Sequence, residues 1–208
     1  MIFEFGAVSL DLSIPSSVYL PSDDTEMLAL AALEQVPAGS SVLEIGTGSG
    51  VVILSLAKNK KKFSKLAAVD IEPSAVETAK KNAKENKIDF VQFVQSNLFD
   101  SLPANSKFDF ILFNPPYLPT ADLDKVKGSL NSALDGGTDG LDVVRRFLAE
   151  AGEHLTQGGK ILIVVSSLQP KDKLEKILAE HRFLHRSLSS KSFFFEKLEV
   201  WMLEQRTK

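Results

Sequence analysis

The chain has 208 residues, enough for one domain that buries a core of its own without disulfide or metal staples. Its 24 Lys and Arg stand against 27 Asp and Glu, a formal net charge of −3, which gives no overall pull toward nucleic acid or an anionic membrane. There is no cysteine, hence no disulfide, thiolate nucleophile or cysteine zinc site, and no apolar run approaches the roughly 18–20 residues of a membrane span.

The N-terminus carries acidic Glu4 and no basic region, so no signal peptide is expected, and the expected location is cytoplasmic. Residues 1–20 alternate loosely through Ile2, Phe3, Phe5, Val8, Leu10 and Leu12, which reads as extended structure or a hairpin ended by Tyr19-Leu20-Pro21. Ser22 to Glu26 offers capping side chains, with Asp23 and Glu26 at capping-box spacing. The helix that follows runs to about Val36, with Met27, Leu30, Ala31 and Leu33 inward, and Pro37-Ala38-Gly39 stops it. Ser41 to Ile45 is a short buried strand that enters Gly46-Thr47-Gly48-Ser49-Gly50, and a helix from Val51 to about Lys58 follows. Leu66 to Val69 is the second strand, ending at Asp70. Pro73 opens a helix through Asn86 with Ala75, Val76, Ala79 and Ala83 as its inner stripe. Phe90 to Val94 is the third strand and leads to Ser96-Asn97-Leu98-Phe99.

Phe108 to Phe113 is the fourth strand, and it delivers the chain into Asn114-Pro115-Pro116-Tyr117. Residues 118–140 are polar and end in Gly136-Gly137-Thr138-Asp139-Gly140, a loop long enough to suggest function or mobility. Leu141, Val144, Leu148, Ala151 and Leu155 repeat at 3,4,3,4 spacing, a helix ended by Gly158-Gly159. Lys160 to Val165 is the fifth strand, residues 170–180 a helix, and the aromatic tail from Phe193 through Leu203 a final hairpin. Strands alternating with helices imply an open, mostly parallel α/β sheet with helices on both faces and an antiparallel last strand.

The chemistry concentrates at strand ends, where open α/β sheets bind ligands. In Glu44-Ile45-Gly46-Thr47-Gly48-Ser49-Gly50 the glycines permit a sharp turn and close ligand approach. The spacing is G-x-G-x-G; a dinucleotide site places a third glycine where this chain has Val51. A carboxylate ahead of the glycines repels a pyrophosphate and suits an ammonium, which favours S-adenosyl-L-methionine over a dinucleotide; a tight turn without ligand is the plain alternative. Asp70, with Ile71 beside it, can accept both hydroxyls of a ribose, or else is a solvated loop acid. Asn97 could bond an adenine amino group and the Leu98 N–H a ring nitrogen. In Asn114-Pro115-Pro116-Tyr117 two prolines fix the backbone and push Asn114 out of the helical region. Two acceptors, the Asn114 side-chain oxygen and the Pro115 carbonyl, could hold a planar –NH2 facing a methyl donor, with Tyr117 packed on it. An in-line displacement needs mainly such positioning, so a general base is not required. His181 and His185 stand at i, i+4 without the context of a metal site, and no metal is expected. Lysines 58, 60, 61, 62 and 65, and 80, 81, 84 and 87, read as solvated helix faces or, alternatively, a docking patch for an acidic or nucleic-acid-bound partner.

Together the glycine turn, Asp70, Asn97 and the N-P-P-Y elbow resemble the class I S-adenosylmethionine-dependent methyltransferases of the amino- and amide-nitrogen group. That resemblance implies a Rossmann-like seven-stranded sheet over 1–208, with 1–36 closing over the cofactor and 37–208 as the core. Val18 to Thr25 is similar to the segment before the first helix in release-factor glutamine methyltransferases, in their short eukaryotic and archaeal form without a separate helical N-terminal domain. The resemblance implies methylation of the Gln amide of the Gly-Gly-Gln motif in class I release factors. It also implies a small zinc-binding activator subunit that pairs with a sheet edge, for which the Phe90 to Val94 strand is the candidate. By position, Glu44, Gly46, Gly48 and Gly50 line the methionine end with Asp24 and Thr25 closing over it, Asp70 and Ile71 meet the ribose, and Asn97 and Leu98 the adenine. Asn114, Pro115, Pro116 and Tyr117 grip the substrate amide, and Asn114 also borders the cofactor. Asn97 departs from the Asp the family often carries. The alternatives are an adenine-N6 methyltransferase on DNA or RNA, a protein lysine methyltransferase, and a cofactor-binding scaffold without transfer. Stable nucleic-acid binding is not expected, since neither a recognition domain nor a basic groove is evident.

Overall fold

Residues 1–59, 61–119 and 135–206 are described by the computed structural model. The loosely alternating N-terminus forms a hairpin of β1 (Ile2–Phe5) and β2 (Val8–Asp11), with Phe5, Val8 and Leu10 buried. The hairpin forms a sheet of its own, and two asparagines hold it in place. Asn82 accepts from the Ser13 N–H at 2.8 Å, and Asn86 exchanges two hydrogen bonds with the Asp11 backbone.

After α1 (Asp23–Gln35), the chain alternates as expected: β3 (Ser41–Ile45), α2 (Val51–Lys58), β4 (Lys65–Asp70), α3 (Pro73–Glu85), β5 (Val91–Gln95) and β6 (Phe108–Phe113). It continues through α4 (Asp142–Ala151), β7 (Leu155–Ser166), α5 (Lys171–Glu180), β8 (Phe183–Ser192) and β9 (Lys197–Gln205). The main sheet has seven strands in the order β5-β4-β3-β6-β7-β9-β8. β9 runs antiparallel between β7 and β8, and the pairs from β5 through β7 are parallel. β3 and β6 are largely apolar, apart from Ser41, Glu44 and Asp109, because both faces of the sheet are covered. Val42 and Phe110 point to a core shared with α1 and α2, while Leu43, Ile45 and Ile111 point to one shared with α4 and α5. The order reverses at β3 and β6, and a crevice opens there beyond the strand ends.

Four expectations need correction. Leu30 is largely exposed; the inward residues of α1 are Met27, Leu28, Ala29, Ala31 and Ala32, because the hairpin, α2 and the sheet cover more than one stripe. No capping box forms, since Ser22 is the cap and Asp23 pairs instead with Lys191. α4 ends at Ala151, and Leu155 already pairs with Phe108, so Gly158-Gly159 lie inside β7 rather than at a helix end. A Cβ on Gly159 would sit 3.0 Å from the Phe108 carbonyl oxygen. Finally, the lysines between α2 and β4 are not all solvated. Lys61 Nζ donates to the Leu33 and Val36 carbonyls at 2.8 Å each, closing the C-terminus of α1, and Lys58 Nζ reaches the Asn86 carbonyl after α3.

Candidate active site

A cavity of about 610 Å³ opens beyond the C-terminal ends of β3, β4, β5 and β6. It is lined by Asp24, Thr25, Glu44, Gly46, Gly48, Asp70, Ile71, Asn97, Leu98 and the whole of Asn114-Pro115-Pro116-Tyr117. Of the residues singled out from the sequence, Gly50 stands apart. A Cβ there would meet Ala79 Cβ at 3.1 Å, and its φ is +84°, so it serves the close packing of α2 on α3.

The glycine turn is held by the carboxylates it surrounds. Glu44 is 3% exposed; its Oε2 accepts from Thr47 Oγ1 at 2.7 Å and from the Ile53 N–H at 3.2 Å. Burial pushes the Glu44 carboxyl up to about 8, with those two donors opposing and nearby Asp70 reinforcing the rise. Asp70 Oδ2 accepts from the Gly48 N–H at 2.8 Å and its Oδ1 from the Glu72 N–H at 3.0 Å. Burial raises its pKa too, against the pull of these N–H groups. Each Asp70 oxygen retains a lone pair, so the carboxylate can still take a pair of hydroxyls. Leu98 is held at φ +51°, a left-handed conformation that non-glycine residues rarely adopt and that clusters at functional sites. Asn97 Oδ1 accepts from Arg146 Nη2 at 3.0 Å.

Across the cavity lies the elbow. Asn114 Oδ1 is buried with no hydrogen-bond partner, an acceptor left open. Tyr117 donates its hydroxyl to Asp24 Oδ2 at 3.1 Å, and Tyr19 donates to the same oxygen at 3.0 Å. Asp24 Oδ1 accepts from both the N–H and the Oγ1 of Thr25. Burial first, and then the Asp24 charge, push both phenols far above their ordinary pKa, so they remain donors at any working pH. The glycines at 136 and 140 make room for the elbow. Cβ atoms there would collide with the Pro116 carbonyl oxygen, at 2.8 Å, and with the Tyr117 carbonyl oxygen. Asp139, whose carboxyl the Arg145 guanidinium holds down, ties this glycine segment to α4. The rest of the 118–140 loop, residues 120–134, lies outside the described residues.

The lining residues not singled out from the sequence include Arg146, Glu196, Glu72, Asp135 and, beyond its place in the N-terminal segment, Tyr19. Arg146 could have been flagged from its position on the polar side of α4, one turn after the glycine segment. Glu196 carried no signal, because a turn between two strands brings it in from the far end of the chain.

The donor set decides which ligand fits. Asp24, Glu44, Asp70, Glu72, Asp135 and Glu196 line the cavity together with Arg146. Glu44 and Asp70 are held by neutral donors, so a ligand carrying positive charge would relieve their burial. A pyrophosphate would meet these carboxylates instead. The site therefore suits an adenosine with a zwitterionic amino-acid end and a sulfonium, and does not suit a dinucleotide. No group of His, Cys, Asp and Glu suited to a metal is found among the described residues. No helix described is long and apolar enough to cross a membrane.

Comparison with known proteins agrees. The family described as "Methyltransferase small domain" matches residues 22–129. A Methanocaldococcus jannaschii protein provisionally named as a protein N5-glutamine methyltransferase is 42% identical over 178 residues, covering 85% of this chain and 86% of that one. The release factor glutamine methyltransferase of Geobacter sulfurreducens is 36% identical over 74% of this chain, which spans only 55% of that longer protein. The E. cuniculi Mtq2–Trm112 complex, responsible for methylation of the translation termination factor eRF1, superposes with a TM-score of 0.67 at 24% identity, covering 91% of this chain and 99% of that one. At that identity the likeness establishes the class I methyltransferase fold.

Proposed function

This chain belongs to the methyltransferase small domain family, and on that premise we propose that it methylates the side-chain amide nitrogen of the Gln in the Gly-Gly-Gln motif of a class I peptide-chain release factor. Its methyl donor is S-adenosyl-L-methionine. When bound, this cofactor supplies an electrophilic methyl on a positively charged sulfur. Glu44 and Asp24, with the Gly46 and Gly48 backbone, hold the amino-acid end, and Thr25 closes over it. Asp70 takes the ribose hydroxyls, with Ile71 beside them. Asn97, whose oxygen is engaged by Arg146, offers its –NH2 to an adenine ring nitrogen rather than accepting from the adenine amino group. The Leu98 N–H lies next along the same wall.

A single observation carries the reading of the acceptor: the buried, unpartnered oxygen of Asn114 at the end of β6. An amide nitrogen is a poor nucleophile because its lone pair is delocalised. Asn114 Oδ1 accepts one amide hydrogen and the Pro115 carbonyl, stiffened by Pro116, accepts the other. Both contacts strengthen as positive charge grows on nitrogen. Tyr117, its hydroxyl tied to Asp24, gives the planar group a fixed aromatic wall. In this reading 1–208 acts as one catalytic unit. Support for residues 1–36 as the closing arm comes from Tyr19 and Asp24, which both line the cavity.

A small zinc-binding activator subunit pairing with the β5 edge completes the proposal, in the cytoplasm and away from membranes. Support comes from the position of β5 at the end of the sheet, with Phe90 exposed beside it and Val91, Phe93 and Val94 only partly buried. Nucleic acid is disfavoured by the acidic lining. That lining would accept a lysine amine, which makes lysine methylation the second reading. The test is co-expression with a release factor, followed by mass spectrometry of its Gly-Gly-Gln peptide. One added methyl on Gln is expected. Label found only on lysine, or only on oligonucleotide, overturns the assignment.

A further inference from the structure

Phe193-Phe194-Phe195 lie not in a strand, where the alternating tail had suggested them, but in the turn between β8 and β9. Turns favour Gly, Asn, Asp, Pro and Ser, so three phenylalanines are poor turn chemistry. They are also poorly buried: Phe194 is 92% and Phe195 84% exposed, their rings meeting edge to face at 4.4 Å. Locally unfavourable choices of this kind are concentrated at functional sites.

The tip is nonetheless held firmly, and held against the cavity. The Phe193 N–H closes the turn on the Glu196 carbonyl. Ser166 donates to the Glu196 carboxylate, and Glu196 lines the cavity. Lys191, two residues before the tip, pairs with Asp23, the neighbour of Asp24. One short turn thus carries a cavity-wall carboxylate and, next to it in sequence, an aromatic pair facing solvent. Because Glu196 lines the cavity, the turn that carries this pair borders it. The β5 edge, proposed above for an activator, lies at the opposite side of the sheet from β8 and β9.

We propose that the Phe194–Phe195 tip is a docking point for the polypeptide substrate, gripping an apolar patch of the folded substrate while its target side chain enters the cavity. This rests on the reading of the substrate as a protein. Exposed aromatic pairs on a rigid turn lose little conformational freedom on contact, which suits them as binding anchors.

The experiment compares wild-type protein with Phe194→Ser/Phe195→Ser on two substrates, an intact class I release factor and a short Gly-Gly-Gln peptide. For the double variant, KM for the intact factor rises about tenfold, the loss of one anchoring contact. Its kcat at saturation, its kinetics on the peptide and its affinity for S-adenosylhomocysteine stay unchanged. Phe194→Leu/Phe195→Leu recovers most of the KM. Should the serine variant fail to fold, Phe194→Gln alone carries the same expectation at about threefold. An unchanged KM on the intact factor overturns the tip while leaving the function standing. So does an equal loss on peptide and factor, or a change of oligomeric state without a change of KM. Wild-type protein inactive on both substrates overturns the function, and the docking proposal with it.

Discussion

The two sides of the cavity hold their polar groups in opposite ways. On the donor side, Glu44 and Asp70 are gripped by backbone N–H groups of Gly48, Ile53 and Glu72 and by the Thr47 hydroxyl, all within 22 residues of the group they hold. On the side of the elbow, Asp24, which also reaches the amino-acid end of the cofactor, is shared by phenols from positions 19 and 117, Asp23 is reached by Lys191, and Glu196 is held by Ser166. Those last ties span from 5 to 168 residues. The donor side is therefore preformed by local turn geometry, while the acceptor side exists only once the whole fold is assembled. A cofactor with fixed charges suits the first; a substrate presented by another protein suits the second.

Breaking the acceptor side at its centre gives the largest expected effect. Asn114→Ala should lower kcat by about 10²–10³, the usual consequence of removing one group that stabilises transition-state charge. Isothermal titration with S-adenosylhomocysteine should show near-wild-type affinity, because the donor side does not use that oxygen. Comparable losses in affinity and turnover would mean that the two sides are not separable as described.

Glu44 sharpens the comparison from the donor side. Its carboxyl ionises near 4.5 in an unfolded chain but only near 8 in the ligand-free fold. The folded state therefore binds the extra proton between those values. The stability this provides is fully present below about 4.5 and is lost as pH rises through about 8. Ligand-free protein should melt progressively lower over that window, by on the order of 2 kcal/mol after relaxation of the site. Glu44→Gln should flatten the slope. A parallel pH profile for variant and wild type, read by thermal unfolding, would remove Glu44 as its source.

The same contrast explains what the sequence could say. The glycine turn, Asp70 and the N-P-P-Y elbow were legible because local chemistry defines them: a spacing of glycines, an acid at a strand end, two prolines that fix their own backbone. The sheet was legible because buried parallel strands leave nearly continuous apolar runs such as Phe110 to Phe113. What escaped was set by distant contacts. Leu30 fits the helical stripe, yet it is exposed because neighbours cover other faces of α1. Gly136 and Gly140 read as loop composition, whereas they yield space to elbow carbonyls some twenty residues earlier in the chain. Lys61 reads as a surface charge and instead closes a helix. Glu196 and the aromatic tip could be placed only by knowing where the last hairpin ends.

The smallest effect probes the joint between the arm and the elbow. Tyr19→Phe and Tyr117→Phe each remove one hydrogen bond to the same Asp24 oxygen, at about 1 kcal/mol apiece. In the double variant that buried oxygen loses both donors, so the combined cost should exceed the sum, a coupling that denaturant unfolding of the four proteins resolves. Activity separates the two residues further. Tyr117→Phe keeps its ring and should lose little more than its anchorage. Tyr19 is joined to the elbow through Asp24, so its loss should act on turnover by the same route and add little once Tyr117 is already Phe. Simple additivity in both stability and turnover would mean that Asp24 does not join the arm to the elbow, and that residues 1–36 cover the cofactor without positioning the amide.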